Sequence, residues 1–274
     1  MCAKVITEKQ DLTYLSWTKI RRSSGTAGSF LKAYSEFDGR KLYYKLSNYD
    51  NIHGIVGHEC VNELIADRLL NILGFDHLDY RLIHADIYLD DNIQEVWLCE
   101  SDDFKQAGED KISLDIFYEM EKEYGESPLE FCLRMGWKEY IYQMLVIDYL
   151  ILNRDRHGAN IEVLRNKDRK TYRLAPLFDH GLSLICSVRN DEEAEHFDVM
   201  KDRPVQSFVG SRSARDNLDL IPVYDMPALV ELTKAHREIL FEGLEGVLPE
   251  AYKDKTWEMI SKRWSSYEDI RNSK

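Results

Sequence analysis

Two aspartates and an asparagine draw attention first. Asp155 and Asn160 stand in the octapeptide NRDRHGAN, residues 153–160, directly after the apolar VIDYLIL, and Asp179 stands in LFDHGL. A carboxylate between two arginines, a histidine and two asparagines, attached to a hydrophobic element, is costly unless every member has a partner or a task. The run IEVLRNKDRKTYRLAPLF between them reads as a hairpin turning at about Asn166 to Arg169. If it folds back on itself, Asp179 returns to Asp155 and Asn160, and two carboxylates and an amide converge. Magnesium takes oxygen ligands, usually one or two carboxylates with water and substrate phosphates, so Asn160 and Asp179 are a candidate metal pair. Asp155 is then left to accept a proton or orient a nucleophile. The bland alternative makes Asp155 a turn cap and its arginines surface ion pairs; the apolar helix before it and FDHG after it weigh against that.

Phosphoryl transfer also needs positive charge on the transferred group and backbone donors near the phosphates. RRSSGTAGSFLKAY, residues 21–34, brings small residues and two glycines before a strand, where amides can approach a phosphate closely. A plain hairpin turn is the competing account. Lys45, in YYKLS, shares a strand face with Tyr43 and Ser47, opposite Tyr44 and Leu46. Glu59 and Glu63 lie one helical turn apart in HECVNELIADRLL, and either can pair with Lys45 or be exposed helix charge.

The elements that must position these groups follow from periodicity. FLKAYSEF and RKLYYKLSN read as strands joined by the turn FDG at Phe37 to Gly39. Val61, Leu64, Ile65, Leu69, Ile72 and Leu73 recur at helical spacing, with Gly74 where a C-terminal cap belongs. YRLIHADIYL and QEVWLCE are two further strands around Asp90-Asp91-Asn92. Residues 1 to about 100 therefore predict a sheet with one inserted helix. Beyond them, SPLEFCLRM opens a helix with Ser127 as cap and Pro128 at its first position, and WKEYIYQMLVIDYLIL predicts a central helix, apolar nearly all round at its end. PALVELTKAHREILFEGL and DKTWEMISKRWSSY predict two amphipathic helices, the second carrying Trp257, Ile260, Trp264 and Tyr267 as a core stripe. The polar stretch from about Ser187 to Asn217, with the acidic run DEEAEH, reads as a mobile loop.

At 274 residues the chain suffices for one large domain or two modest lobes. A net charge of −13 argues against a broad nucleic-acid or anionic-membrane surface, while leaving room for a local basic pocket. Cys2, Cys60, Cys99, Cys132 and Cys186 are odd in number and never spaced C-x-x-C, which points to neither a disulfide framework nor a zinc knuckle, and fits a reducing cytosol. The first residues lack a signal-peptide core, and no uncharged stretch approaches the roughly 20 residues of a membrane helix, so the chain reads as soluble.

The order SSGTAGSFLK, YYKLS, VNELIADRLL, NRDRHGAN, LAPLFDHG resembles the HipA-like serine/threonine kinases, especially their short single-domain members, over about residues 18 to 185. The resemblance implies an α+β, two-lobed, protein-kinase-like fold: an N-terminal antiparallel sheet with one helix over residues 1–100, and a mainly helical C-terminal lobe over 101–274. It implies an ATP- and magnesium-dependent protein kinase, cytoplasmic and bacterial, with secretion as an effector left open. Asp155 would be the catalytic base, with Asn160 and Asp179 as magnesium ligands. Lys45 would contact the ATP phosphates, oriented by Glu63. Ala27, Gly28, Ser29 and Lys32 would belong to the phosphate-binding turn. Glu100 and Ser101 would form the hinge against adenine, and His157 and Phe178 would lie beside the nucleotide. Ser23 and Ser24 become candidate autophosphorylation sites.

Implied partners are a protein substrate with a serine or threonine acceptor and an antitoxin-like protein; neither nucleic acid nor membrane is expected to be bound directly. The sequence departs from the family in three ways. Almost nothing precedes Lys19, which removes the warrant for a DNA-bound antitoxin; Phe30 stands where some members carry glutamine; and Asp179-His180-Gly181 matches the D-F-G of ordinary protein kinases only at its ends. Two other readings accompany the kinase: a small-molecule or lipid kinase on the same scaffold, and a nucleotide-binding pseudokinase.

Overall fold

The computed structural model describes residues 4–20, 27–50 and 54–273. Its first half is a six-stranded sheet in the order β1-β7-β8-β4-β3-β2, built from β1 (Val5–Asp11), β2 (Thr18–Ile20), β3 (Ala27–Phe37), β4 (Arg40–Leu46), β7 (Tyr80–Leu89) and β8 (Asn92–Asp102). β5 (Tyr49–Asp50) and β6 (Gly54–Ile55) pair separately, ahead of α1 (Glu59–Leu73). The sheet is antiparallel except at one edge, where β1 runs parallel to β7. Two-residue loops set the register of both long hairpins. Asp38 and Gly39 sit at φ 49° and 74°, and Asp90 and Asp91 at 51° and 61°, the left-handed pairs whose twist matches the flanking strands. Gly74 ends α1 at φ 71°, as its position predicts.

One sheet face packs Leu12, Ala33, Tyr44, Leu46, Ile83 and Leu98 into a small core of its own. The other carries α1, whose Leu64, Ile65 and Leu69 belong to the main core along with the C-terminal elements. α1 is buried almost all round: even Glu59, Asn62, Glu63 and Asp67 are inaccessible, so the reading of the glutamates as exposed charge does not hold.

A three-stranded sheet, β12-β11-β9, follows the first one, made of β9 (Glu109–Ser113), β11 (Glu162–Asn166) and β12 (Thr171–Leu174). β11 and β12 are the expected hairpin, and Asn166 caps its turn by accepting from Arg169 N at 2.9 Å. Between β9 and the hairpin come α2 (Leu114–Glu121), α3 (Pro128–Arg134) and α4 (Lys138–Leu150). α3 begins with the capping box of Ser127 and Glu130, Pro128 being its first residue. The two-residue strand β10 (Asp155–Arg156) follows α4.

The stretch read as a mobile loop is instead packed. α5 (Asp191–Glu195) is capped by Asn190, β13 (Gln206–Ser207) pairs in parallel with β10, and Val188, Ala194, Val199, Val205, Val209 and Ala214 are buried in the main core. These small apolar residues are spread thinly among charges, at neither helical nor strand period, which hid them. The helix expected over 227–244 is reduced to α6 (Lys234–Phe241), because the chain before it has no regular structure and Thr233 N donates to His236 Nδ1 at the new helix start. α7 (Glu250–Ser273) closes the fold with Ile260 and Tyr267 buried, and Trp257 and Trp264 packed beside them. The four described cysteines are free thiols. No helix among the described residues is long and apolar enough to cross a membrane.

Candidate active site

A cleft of about 630 Å³ opens between β3 and β4 on one side and the 101–112 and 178–179 segments on the other. Lys45 is at its inner end. Its Nζ lies 2.8 Å from Glu63 Oε1 and 2.6 Å from Asp179 Oδ1, and the side chain is only 10% exposed. Burial works against the charge, but Asp179 and Glu63 outweigh it and hold the ammonium well above its ordinary range. Glu63 reaches further: its Oε2 accepts from His180 N at 2.7 Å, so one carboxylate joins strand β4 to the Asp179-His180-Gly181 turn. Glu59, the other candidate partner, instead accepts from Asn48 N at 3.0 Å.

Gly181 suits this closeness. A Cβ there would come 3.0 Å from that of Glu59 and 3.2 Å from Lys45 Nζ. Asp179 adopts φ 59°, a left-handed conformation that aspartate tolerates better than most residues. His180 is fully buried; burial and the nearby Arg156 guanidinium push its pKa far down, leaving a neutral ring.

The charged octapeptide is held from beneath. Arg156 is 1% exposed, and its guanidinium bonds the Asp148 carboxylate of α4 through Nε at 3.0 Å and Nη2 at 2.9 Å. Its Nη1 donates to Phe178 O at 2.8 Å, which ties the loop to the residue before Asp179. Asn153 donates to Asp148 Oδ1 at 2.9 Å and accepts from Asp155 N at 3.1 Å. Asn160 Nδ2 donates to Asp155 O at 2.7 Å and lies 3.3 Å from Asp155 Oδ2. From the far side, Gln206 N and Phe208 N bond the carbonyls of Arg154 and Arg156, both at 2.9 Å. Asp155 keeps 25% of its side chain exposed, with His157 Nε2 at 3.5 Å. Asp148 and Arg156 were missed by sequence reasoning, because Asp148 sits in a helix end that looks apolar all round; a lone aspartate facing an arginine in the following loop was the available signal.

The structure thus gathers Lys45, Glu63 and Asp179 around one ammonium, and Asp155, Asn160 and His157 on one loop joined through Arg156 to Phe178. Phe178, Asp179, Ser101 and Lys32 line the cleft, Lys32 lying across the sheet from Lys45. Glu100 points away, into an ion pair with Arg81 at 2.6 Å, as strand alternation from Ser101 requires. Ala27, Gly28 and Ser29 start strand β3, so residues 27–32 are extended rather than a turn. Phe30 packs its ring 4.8 Å from Lys45 Nζ. Ser23 and Ser24 lie outside the described residues.

A two-layered sheet-and-helix body with a lysine-glutamate-aspartate cluster at its cleft can be compared with known proteins. No family model matches the chain. A curated relative, the serine/threonine-protein kinase CtkA of Helicobacter pylori, is 25% identical over 161 residues, 58% of this chain and 46% of its own length. The match therefore spans about half of that relative. The crystal structure of the H. pylori proinflammatory kinase CtkA superposes with a TM-score of 0.68 at 15% identity, covering 97% of this chain and 98% of that one. The chain is HipA-like in fold and similar to CtkA. The Shewanella oneidensis HipA, HipB and operator DNA complex agrees with a TM-score of 0.51 at 13% identity over 93% of this chain and 67% of that one. The HipA-like fold accounts for the order of the elements; the side-chain geometry described above belongs to this chain itself.

Proposed function

We propose that the chain is an ATP- and magnesium-dependent serine/threonine protein kinase of the HipA-like type. The observation that carries this reading is the buried Lys45–Glu63–Asp179 cluster at the end of a cleft, joined through Arg156 to a loop bearing a partly exposed aspartate. In this mechanism residues 1–100 form an N-terminal lobe that brings Lys45 to the phosphates, and residues 101–274 a C-terminal lobe that brings the acceptor. Asp155 orients a serine or threonine hydroxyl and takes its proton as the oxygen attacks the γ-phosphorus. The bond to the bridging oxygen breaks, and ADP leaves with the electron pair. Lys45 offsets the charge spread over the phosphates, and Glu63 keeps it aimed.

Asn160 and Asp179 fit magnesium by donor chemistry, an amide oxygen and a carboxylate beside a second carboxylate, Asp155. Bound there, the ion would neutralise phosphate charge. Phe178 and Ser101 contact the nucleotide; Glu100 does not, since its carboxylate is held by Arg81 and its backbone lies in β8 between β7 and β4. Ala27, Gly28, Ser29 and Lys32 cover the phosphates, and Ser23 or Ser24 receives phosphate in autophosphorylation. An antitoxin-like protein is a further partner in this reading.

The purified protein incubated with γ-labelled ATP, magnesium and a cell lysate should label serine or threonine in protein, and Lys45→Met should abolish the labelling. Label carried only by lipid or sugar, or nucleotide binding with no turnover, would overturn the reading.

A further inference from the structure

Arg154, the residue before Asp155, is bonded as sparsely as Arg156 is fully. Its Nη2 donates to Ser187 Oγ at 3.1 Å, its Nε is buried with no partner, and among the described residues no carboxylate pairs with it. Its main chain is fixed in two directions: its N–H donates to Leu182 O at 3.0 Å, and its carbonyl accepts from Gln206 N at 2.9 Å. The side chain therefore reaches into a segment, 182–206, whose two ends already rest on the same residue.

Ser187 is exposed and ends a turn in which Cys186 N and Val188 N donate to Ser183 O and Ile185 O. Arg189, two residues on, is exposed as well and has no carboxylate partner among the described residues. Glu193, which folds back on this stretch, is taken up by Arg189 N at 2.9 Å and Asn190 Nδ2 at 3.3 Å. The chain holds 49 acidic residues against 36 lysines and arginines, so guanidiniums left without a carboxylate are a place for another anion. One of them is bonded to an exposed hydroxyl, and the other lies two residues along from it.

A phosphate ester on that hydroxyl carries about 1.5 to 2 negative charges and three acceptor oxygens, which suit the Nη2 and the orphaned Nε of one guanidinium. We propose that Ser187 is a phosphorylation site, and that its phosphate binds Arg154 and fastens the 182–206 segment to the loop carrying Asp155. This rests on the kinase reading, which supplies ATP as the donor. Ser187 Oγ attacks the γ-phosphorus, the bond to the bridging oxygen breaks, ADP leaves with the electron pair, and the hydroxyl proton passes to Asp155 of a second copy. A second copy is needed because Ser187 is held on Arg154, whereas Asp155 of the same chain faces His157 and Asn160.

The whole protein, stripped by a phosphatase and then incubated with magnesium-ATP, can be mapped by peptide mass spectrometry and melted. A tagged Asp155→Asn acceptor mixed with untagged wild type should gain phosphate at Ser187, and alone should gain none. The phosphorylated wild type should unfold about 3 °C or more above the stripped protein, the size expected of hydrogen bonds to a charged group. Ser187→Ala treated alike should show no such rise, nor should Arg154→Ala phosphorylated by the wild type and repurified. If a generic protein substrate is phosphorylated while Ser187 stays bare, or if the rise is the same in either variant, the proposal fails and the kinase reading stands. No transfer to any protein removes both. Should Arg154→Ala not fold, Arg154→Lys takes its place, with a rise smaller than that of the wild type expected and an equal one overturning the role of Arg154.

Discussion

Arg156 is the residue that makes sense of a charged loop attached to a buried helix. Its guanidinium shares no water with the surface; it links the Asp148 carboxylate to the carbonyls of Asn160, at 3.3 Å, and Phe178. The charges in NRDRHGAN are thus of two kinds, one inside the fold and one beside the cleft. Removing one partner of a buried ion pair leaves the other uncompensated, which costs about 3–5 kcal/mol. Arg156→Met should lower the unfolding free energy by about that amount in urea titration, and Asp148→Leu in the same chain should restore a large part of the loss. A loss under about 1 kcal/mol, within the range of a surface pair, would show that the pair does not hold the loop. Asp155, Asn160 and Asp179 could be singled out in the sequence because the chemistry they suit is unusual; Arg156 and Asp148 could not, because a buried ion pair has the same composition as an exposed one.

At the scale of elements, α1 is the piece that joins the parts. Glu63 on it holds Lys45, and Asn62 beside it donates to Gly181 O at 3.0 Å and accepts from Tyr252 Oη at 3.2 Å. Arg68 donates to Leu240 O at 2.9 Å, so α6 and α7 both reach α1. The C-terminal helices, read from sequence as core alone, therefore also support the helix that carries Glu63. Just beyond α1, His77 lies against Asp67 with its Nε2 3.3 Å from the carboxylate, and its Nδ1 is 2.7 Å from Phe75 O. Burial disfavours the imidazolium, but Asp67 and Phe75 O prevail and the pKa ends above the usual histidine value. A raised pKa stabilises the fold fully below the unfolded value near 6.5 and ceases to do so as pH rises through the folded value. The wild type should thus lose stability as pH rises from about 6 through the raised His77 pKa, and His77→Gln should flatten that part of the profile. An unfolding midpoint with the same pH slope in both proteins would contradict it.

Elements with a strong local signal were readable. α1 has its apolar period and Gly74, α3 has Ser127 and Pro128, and the hairpins have their turn residues. β1 and β9 escaped notice because VITEKQD and EDKIS are polar strands, stabilised by pairing with β7 and β11 rather than by an apolar face. The irregular chain over 227–233 kept the apolar spacing of a helix because Leu229 and Leu232 still pack on the core.

For the whole molecule, a net charge of −13 coexists with a cleft lined by Lys32, Lys41, Lys45, Lys105, Lys111 and Arg165. The overall charge turns polyanions away from most of the surface, while these cations are gathered in one cleft beside Asp102, Asp110, Glu162 and Asp179, with Lys45, Lys111 and Arg165 held in ion pairs. Composition alone could leave room for such a pocket but could not locate it, since its cations come from β3, β4, β9, β11 and the 103–108 connection, far apart in the chain. The same holds for the 187–217 segment, whose contribution to the loop around Asp155 arises only when β13 pairs with β10. Fold class and the ordered motifs were in the sequence; the gathering of these charges in one cleft is a property of the assembled chain.

Asp155 is proposed to take the proton of the acceptor hydroxyl. Its most direct test is transfer of phosphate from γ-labelled ATP, to itself or to a generic protein substrate, by the wild type and by Asp155→Asn matched in unfolding midpoint and ATP affinity. The asparagine variant should transfer about 10²- to 10⁴-fold more slowly, the contribution of a positioned general base. Transfer at the wild-type rate by Asp155→Asn would contradict the account.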